Sequence, residues 1–295
     1  MRKIILKQHQ SPGDVLVFTA TVKAIKETYP EWLIDVRTPC MEIFEGNPRI
    51  THLDEKDSDV EIIGLVNDTE IHRSGVSGIH YCQAFIREAE EKLGVTLKKD
   101  DMWPEIFIRD VEKTWINQVE TEFGYKGKFW LINAGYKPEC PLKFYPYWQE
   151  VAFLLRDHVQ FVQIGSEGHV HEPLQGVFNL VGKTDLRQLI RLAYWSEGLV
   201  GPISFQMHLA AALKKPAVVV AGNKEPVRWE MYPDHRYIAV NGCLKCSAYY
   251  DGCWKSRLEE CLNLTGGRPR CYTMIRPEDV ANAVLAYYAG GRLSF

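Results

Sequence analysis

The sequence has no apolar run approaching the ~20 residues that a membrane-crossing helix needs. Its opening, MRKIILKQHQSPGD, passes from a short apolar stretch to polar residues without a signal-peptide core. Both absences point to a cytoplasmic protein. Positive charge is not in surplus either: Lys and Arg number 35 against 38 Asp and Glu, a formal net charge of -3. Proteins that neutralise phosphate backbones carry a basic excess, so nucleic acid is not an expected partner. There is no G-x-x-x-x-G-K-[ST] loop, no G-x-S-x-G elbow and no H-E-x-x-H helix, which sets aside P-loop NTPases, elbow-type serine hydrolases and zincins. No solenoid-type repeat is visible.

The composition that remains is that of a folded protein. Of 295 residues, 46% are hydrophobic and 25% charged, enough for one large domain or two ordinary ones. Lys3 to Lys7 reads as a strand and Ser11-Pro-Gly-Asp14 as a turn. Val15, Phe18, Val22 and Ile25 then recur at helical spacing up to Tyr29-Pro30, and Trp32 to Arg37 reads as a second strand. This βαβ pattern opens a parallel sheet. Weaker strands are expected at Ile50 to Leu53 and Val60 to Val66, a polar loop from Asn67 to Gly78, and a helix from about Tyr81 to Leu93.

The pattern restarts at Phe129-Trp-Leu-Ile-Asn133. A helix is expected from about Tyr147 to Asp157, a strand over Val159 to Gly165, an amphipathic helix over Asp185 to Ser196, and a strand at Gly198 to Val200. A helix carrying His208 to Leu213, a buried strand over Pro216 to Ala221 and a closing helix from Pro277 to Tyr288 complete the series. The reading is an α/β fold of two halves, residues 1–125 and 126–295, with a Cys-rich insertion at 241–272.

Asp14 follows the first strand and opens the first helix, at the carboxyl end of the sheet where ligands of open α/β folds bind. Its carboxylate could cap the helix, take a proton from a substrate hydroxyl, or do both. Gly201-Pro-Ile-Ser-Phe-Gln-Met-His208 leads from a strand into an Ala-rich helix, whose free N–H groups suit a diphosphate. Ser204, Phe205, Gln206, Met207 and His208 are therefore donor-site candidates, with a packed core histidine as the other reading of His208. Gly222, Lys224 and Arg228 lie after the next strand, and Lys143 follows the first loop of the second half. The three cations suit phosphate or base, or are solvated surface charge. Asp57-Ser-Asp59 matches a metal-binding D-x-D pattern, one that two aspartates in an acidic loop form readily by chance.

Eight cysteines are present, five of them between Cys243 and Cys271. Cys243, Cys246, Cys261 and Cys271, with Cys253 as a substitute, suit a closed structural zinc or iron site of thiolates rather than a disulfide framework. A redox pair at Cys243 and Cys246, or five unliganded thiols, are the alternatives.

The chain resembles glycosyltransferase family 9, the ADP-heptose heptosyltransferase-like enzymes. The resemblance runs through Gly13-Asp14 with Thr19-Ala-Thr-Val-Lys-Ala-Ile-Lys and Tyr29-Pro30, through Asn179-Leu-Val-Gly-Lys-Thr-Asp-Leu, Met207 to Pro216 and Gly222 with Pro226, and through Pro277-Glu-Asp-Val280. It implies two Rossmann-like domains facing a cleft, the GT-B architecture, with the acceptor on the first half and the nucleotide-sugar donor, ADP-heptose-like, on the second. It further implies inversion at the anomeric carbon without a catalytic metal, and Asp14 as base. The acceptor would be a glycan, lipopolysaccharide-like or a protein, and a homo-oligomer is left open. Two departures stand out: Ile203-Ser-Phe205 replaces the family's Asp-Ser-Gly, and the first half is short. They motivate a non-catalytic scaffold as the rival function. An epimerase on the same fold is a third reading.

Overall fold

The computed structural model describes residues 1–67, 70, 71, 74, 77–222, 226–240, 261 and 263–288. The chain begins β1 (Lys3–Lys7), α1 (Pro12–Thr28), β2 (Leu33–Arg37), a 3-10 turn at Met41–Phe44, β3 (Val60–Gly64) and α2 (Tyr81–Leu93). Two short helices, α3 (Asp110–Lys113) and α4 (Gln118–Phe123), lead to β4 (Phe129–Ile132). A 3-10 turn at Pro141–Lys143 precedes α5 (Trp148–Leu155), β5 (Gln160–Gln163), β6 (Phe178–Asn179), α6 (Leu186–Trp195), β7 (Gly198–Pro202) and α7 (Phe205–Ala212). Then come β8 (Ala217–Gly222), α8 (Val227–Glu230), β9 (His235–Ala239), the β10 (Leu264–Thr265) and β11 (Arg268–Pro269) hairpin, α9 (Arg270–Thr273) and α10 (Pro277–Tyr288).

Two parallel sheets organise these elements. The first has the order β2-β1-β3, the second β6-β5-β4-β7-β8-β9. Numbered along its own chain, the second sheet is 3-2-1-4-5-6, the doubly wound order whose direction of winding reverses between its first and fourth strands. Here that switch lies between β4 and β7. β4, β7 and β8 are buried along their whole length, as expected of parallel strands with both faces covered.

α1 is buried on all sides over much of its length: every residue from Val15 to Ile25 is buried. It lies over the first sheet and is covered by α2 and α7, so it has no solvent face in that stretch. The apolar cluster around it runs from Ile4 and Leu6 through Phe18 and Phe85 to Met207, Leu209 and Val219, and so belongs to both halves. A second cluster under the far face of the second sheet joins Trp130, Tyr145, Trp148, Tyr272 and Val284.

Two local expectations change. Ser11-Pro-Gly-Asp14 is the first turn of α1 rather than a separate turn, with Ser11 as N-cap and Pro12 in the opening position its fixed φ favours. Ile50 to Leu53 is not a strand. Thr51 N–H donates to Ile34 O at 2.8 Å, but the next bond, from Leu53 N–H, goes to the buried Asp35 carboxylate at 2.8 Å instead of a backbone carbonyl, and the ladder ends. Around position 125 the chain is pinned to the second half, where Phe123 stacks on Phe178 with centroids 4.5 Å apart. Arg187 of α6 reaches back to Glu112 of α3, at 2.8 Å from Nε and 2.5 Å from Nη2.

Candidate active site

The N-terminal turns of α1 and α7 abut at the junction of the halves. A methyl group on Gly13 would lie 3.5 Å from the His208 ring and 3.8 Å from Phe205 Cα. Each turn follows the carboxyl end of its strand, β1 or β7, so the two sheets present their ligand-binding ends to one place. The D-x-D pair is elsewhere: Asp57 and Asp59 precede β3, at the amino end of the first sheet, where Asp59 pairs with Lys3 at 2.7 Å.

Asp14 is half-buried and stands at the third helical position, not the N-cap. Its Oδ2 accepts from Ser11 N–H at 3.0 Å and Ser11 Oγ–H at 2.5 Å, while Oδ1 accepts the Tyr81 phenol at 2.5 Å. A carboxylate has about four lone-pair sites. Three are filled by these donors, and the remaining one, on Oδ1, has no hydrogen-bond donor among the described residues.

Across the junction, Asn133 at the end of β4 spans the switch point. Its amide donates to Gln206 Oε1 at 3.1 Å and Ser204 Oγ at 3.4 Å, Ser204 Oγ also bonds Gln206, and Gln206 Nε2 donates to Pro202 O at 2.6 Å. Gly201 must be small here, because a Cβ would meet Gln206 Nε2 at 2.6 Å. Lys143 Nζ donates to Ile203 O at 3.2 Å, which sets its charge at the rim of the same crevice.

The remaining donor-site candidates divide. Met207 is buried in the shared core and Phe205 packs partly against it, so neither side chain is a polar contact. His208 is buried, and its Nδ1 shares a 2.7 Å hydrogen bond with the Tyr232 phenol. Burial first, then the positive charge of its neighbours, Lys143 among them, pushes this imidazole down to about 3. It is neutral, and it can offer a phosphate an N–H but no charge. Gly222 is held at φ 58° against the Tyr272 ring, a position that its backbone and the core below dictate. Arg228 is exposed, and its Nε donates to Ser77 O of the first half at 3.2 Å. Lys224, Cys243, Cys246 and Cys253 lie outside the described residues. Cys271 is buried in the second cluster, and Cys261 is half-buried with its thiol 3.5 Å from Asn263 O. Among the described residues, no three potential ligands gather as a metal site.

Sequence reading missed Tyr81, Asn133 and Tyr232. Tyr81 stacks on Trp229 at 5.1 Å, and Tyr232 packs among His80, Trp103, His208 and His235 with ring centroids 5.2 to 5.7 Å away. Such pairings between distant segments leave no local spacing signal; only the placement of Tyr81 and Asn133 just past strand-and-loop boundaries could have flagged them.

Residues 117–252 match the model of Glycosyltransferase family 9 (heptosyltransferase). The matched segment is somewhat under half of the chain, so it shows what that part is similar to. No curated protein matches the chain. Among solved structures, the chain is similar to a glycosyl transferase family 9 protein from Veillonella parvula DSM 2008, with TM-score 0.72, 16% identity and 98% of each chain covered. It is similar to the E. coli ADP-heptose lps heptosyltransferase II, with TM-score 0.62, 18% identity, and 98% of this chain and 99% of that one covered. It is also similar to the iron-containing dodecameric glycosyltransferase TibC from enterotoxigenic E. coli H10407, with TM-score 0.68, 16% identity, and 98% of this chain and 77% of that one covered. At these identities the likeness is one of fold: α/β, with the parallel sheets of the heptosyltransferase structures. No described helix is long and apolar enough to cross a membrane.

Proposed function

We propose that the chain is a family 9 glycosyltransferase that moves a heptose or related sugar from a nucleoside-diphosphate donor to a glycan, lipopolysaccharide-like or protein hydroxyl, with inversion. The observation that carries the reading is the apposition of Asp14 to the start of α7, through the contact of Gly13 with Phe205 and His208. The diphosphate would lie at the β4–β7 switch point, against the α7 N–H groups and Lys143. ADP-heptose is the favoured donor, because TibC has been solved with ADP-D-beta-D-heptose and E. coli WaaC with ADP.

In the step, the acceptor oxygen forms a bond to the anomeric carbon as the bond from that carbon to the diphosphate oxygen breaks. The acceptor proton passes to the open lone pair of Asp14 Oδ1, and the negative charge that grows on the leaving diphosphate is met by Lys143 and the helix terminus. Asn133, Ser204 and Gln206 form a neutral polar wall where the family pattern has an acidic residue, so this wall would contact the donor sugar or ribose through amide and hydroxyl groups alone.

The Cys-rich insertion would hold one zinc or iron in a closed thiolate site that braces the fold and takes no part in transfer; a four-sulfur donor set fits either metal. The functional test is calorimetry with ADP and ADP-heptose, together with slow donor hydrolysis followed as ADP release, on the wild type and on Asp14→Asn. Both proteins should bind ADP alike, with ADP release falling at least about 100-fold in the variant. Equal release would remove Asp14 from the chemistry, and no binding of either ligand by the wild type would overturn the donor reading.

A further inference from the structure

The crossover from β5 to β6 is parallel, yet residues 164–177 contain no helix. Parallel neighbours are ordinarily joined through a helix that covers the sheet. Here a strap lies across the carboxyl ends of β4 and β5 instead. It is fastened on both sides. Val170 and Tyr136 exchange both backbone hydrogen bonds, at 2.9 and 3.1 Å, while the Gln163 amide donates to Glu172 O at 2.8 Å and accepts from Leu174 N–H at 3.0 Å.

Between these fastenings His171 turns its ring down onto Gly135 and Gly165, which stand just beyond β4 and β5. A methyl group on either glycine would overlap the imidazole, and neither glycine has positive φ. They are glycines because of what lies on them, not because of their backbone conformation. Both ring nitrogens of His171 are buried without a hydrogen-bond partner among the described residues. A buried polar group in that state is destabilising, and nothing can reach either nitrogen, or the glycine shelf below, while the ring stays in place.

The shelf adjoins the β4–β7 switch point. Gly135 N–H, on the shelf, donates to Asn133 Oδ1 at 3.2 Å, and the amide of Asn133 in turn bonds Ser204 and Gln206 at the proposed diphosphate position, so a nucleoside extending from that diphosphate over the end of β4 would meet the shelf. We propose that His171 is a plug: its imidazole occupies the shelf on which the donor nucleoside rests, and it leaves when the nucleoside arrives. The proposal rests on the donor reading above and adds a competitor built into the chain.

The test uses the full-length protein with ADP, GDP and UDP as probes. If only the fraction of molecules with an open shelf binds, apparent affinity is reduced by that fraction. His171→Ala should therefore bind ADP several-fold more tightly than the wild type. In the wild type, NMR of 13C-labelled histidine should show the His171 signal moving to a solvent-exposed position on saturation, a reading that needs no variant. ADP binding with the His171 signal unmoved and affinity unchanged by His171→Ala overturns the plug and leaves the donor reading intact. Weaker binding by the variant makes His171 a direct donor contact and also overturns the plug. Failure of all three nucleotides to bind either protein overturns both readings, whereas binding by the variant alone supports the plug most strongly.

Discussion

Tyr81 and Asp14, 67 positions apart, meet in a 2.5 Å O–H···O hydrogen bond. The same tyrosine ring stacks on Trp229 of the second half, so the carboxylate is aimed by a residue that the second half holds in place. Tyr81→Phe keeps the stacking and removes only the phenol. We expect a loss of about 10-fold in turnover with little change in donor affinity, since a catalytic group that is free to rotate loses productive orientation. Steady-state kinetics with separate ADP titrations checks this; an unchanged turnover would mean that Ser11 alone orients Asp14.

Lys143→Met should weaken ADP binding about 10-fold, the worth of one charge-assisted hydrogen bond at an incompletely buried site. Its Nζ donates to the Ile203 carbonyl at the rim, so the substitution removes charge from the crevice. Calorimetry at two salt concentrations distinguishes lost charge from lost shape, because only the former shrinks as salt rises.

Glu112→Ala and Arg187→Ala should each destabilise the protein by up to about 3–5 kcal/mol, the usual cost of breaking a buried ion pair, eased by the second partner each survivor keeps, Arg109 for Glu112 and Glu45 for Arg187. Glu112 is fully buried, and its hydrogen bonds to Arg187 hold the carboxyl down at about 2. Arg187 also donates to Phe107 O at 2.8 Å and Glu42 O at 3.1 Å, so its loss orphans two carbonyls besides. Urea unfolding measures both effects, and a change under about 1 kcal/mol would show the pair to be dispensable.

Acid should loosen the fold before the carboxylates titrate. Burial pushes His208 down to about 3 and His80 and His235 down to about 4. Below pH 6.5 the unfolded chain binds protons at these three positions that the native chain refuses, so stability falls as pH drops from 6.5 toward 4 and is complete above it. At full value the three together amount to on the order of 10 kcal/mol by pH 4. Urea midpoints at pH 7, 5.5 and 4.5 should decline in that order; a flat profile would mean that the histidines are accessible to protons in the native state.

The insertion should bring metal with it. One zinc or iron per chain is expected by mass spectrometry of the intact protein, and its loss in Cys243→Ser with Cys246→Ser. Full metal content in the double variant would move the site elsewhere.

Much of the secondary structure was legible because parallel strands and their crossover helices write long apolar segments bounded by Gly and Pro. α1 is the instructive exception in degree. The spacing of Val15, Phe18, Val22 and Ile25 predicts one apolar face, but Thr19, Thr21 and Lys23 are buried too, because α2 and α7 close over the helix. Lys23 is accommodated by an ion pair to Asp101 at 2.5 Å, a partner 78 positions away by residue number. At the site, the sequence points to Asp14 and the α7 start, since position after a strand is a local property. It does not point to Tyr81, Tyr232 or His171, whose roles come from what they meet across the junction or over a glycine shelf. The short β6 and the strap before it carry no periodic signal at all.

The core that surrounds α1 also decides how the molecule comes apart. Because Phe18 and Phe85 of one half share a single apolar cluster with Met207, Leu209 and Val219 of the other, neither half can be lifted away without leaving its own interior open to water. The described residues therefore show no seam of the kind that lets tandem modules be cut apart and expressed alone: one cooperative melting step is expected, and a fragment ending near the junction would be an aggregation-prone half of a core rather than a portable domain.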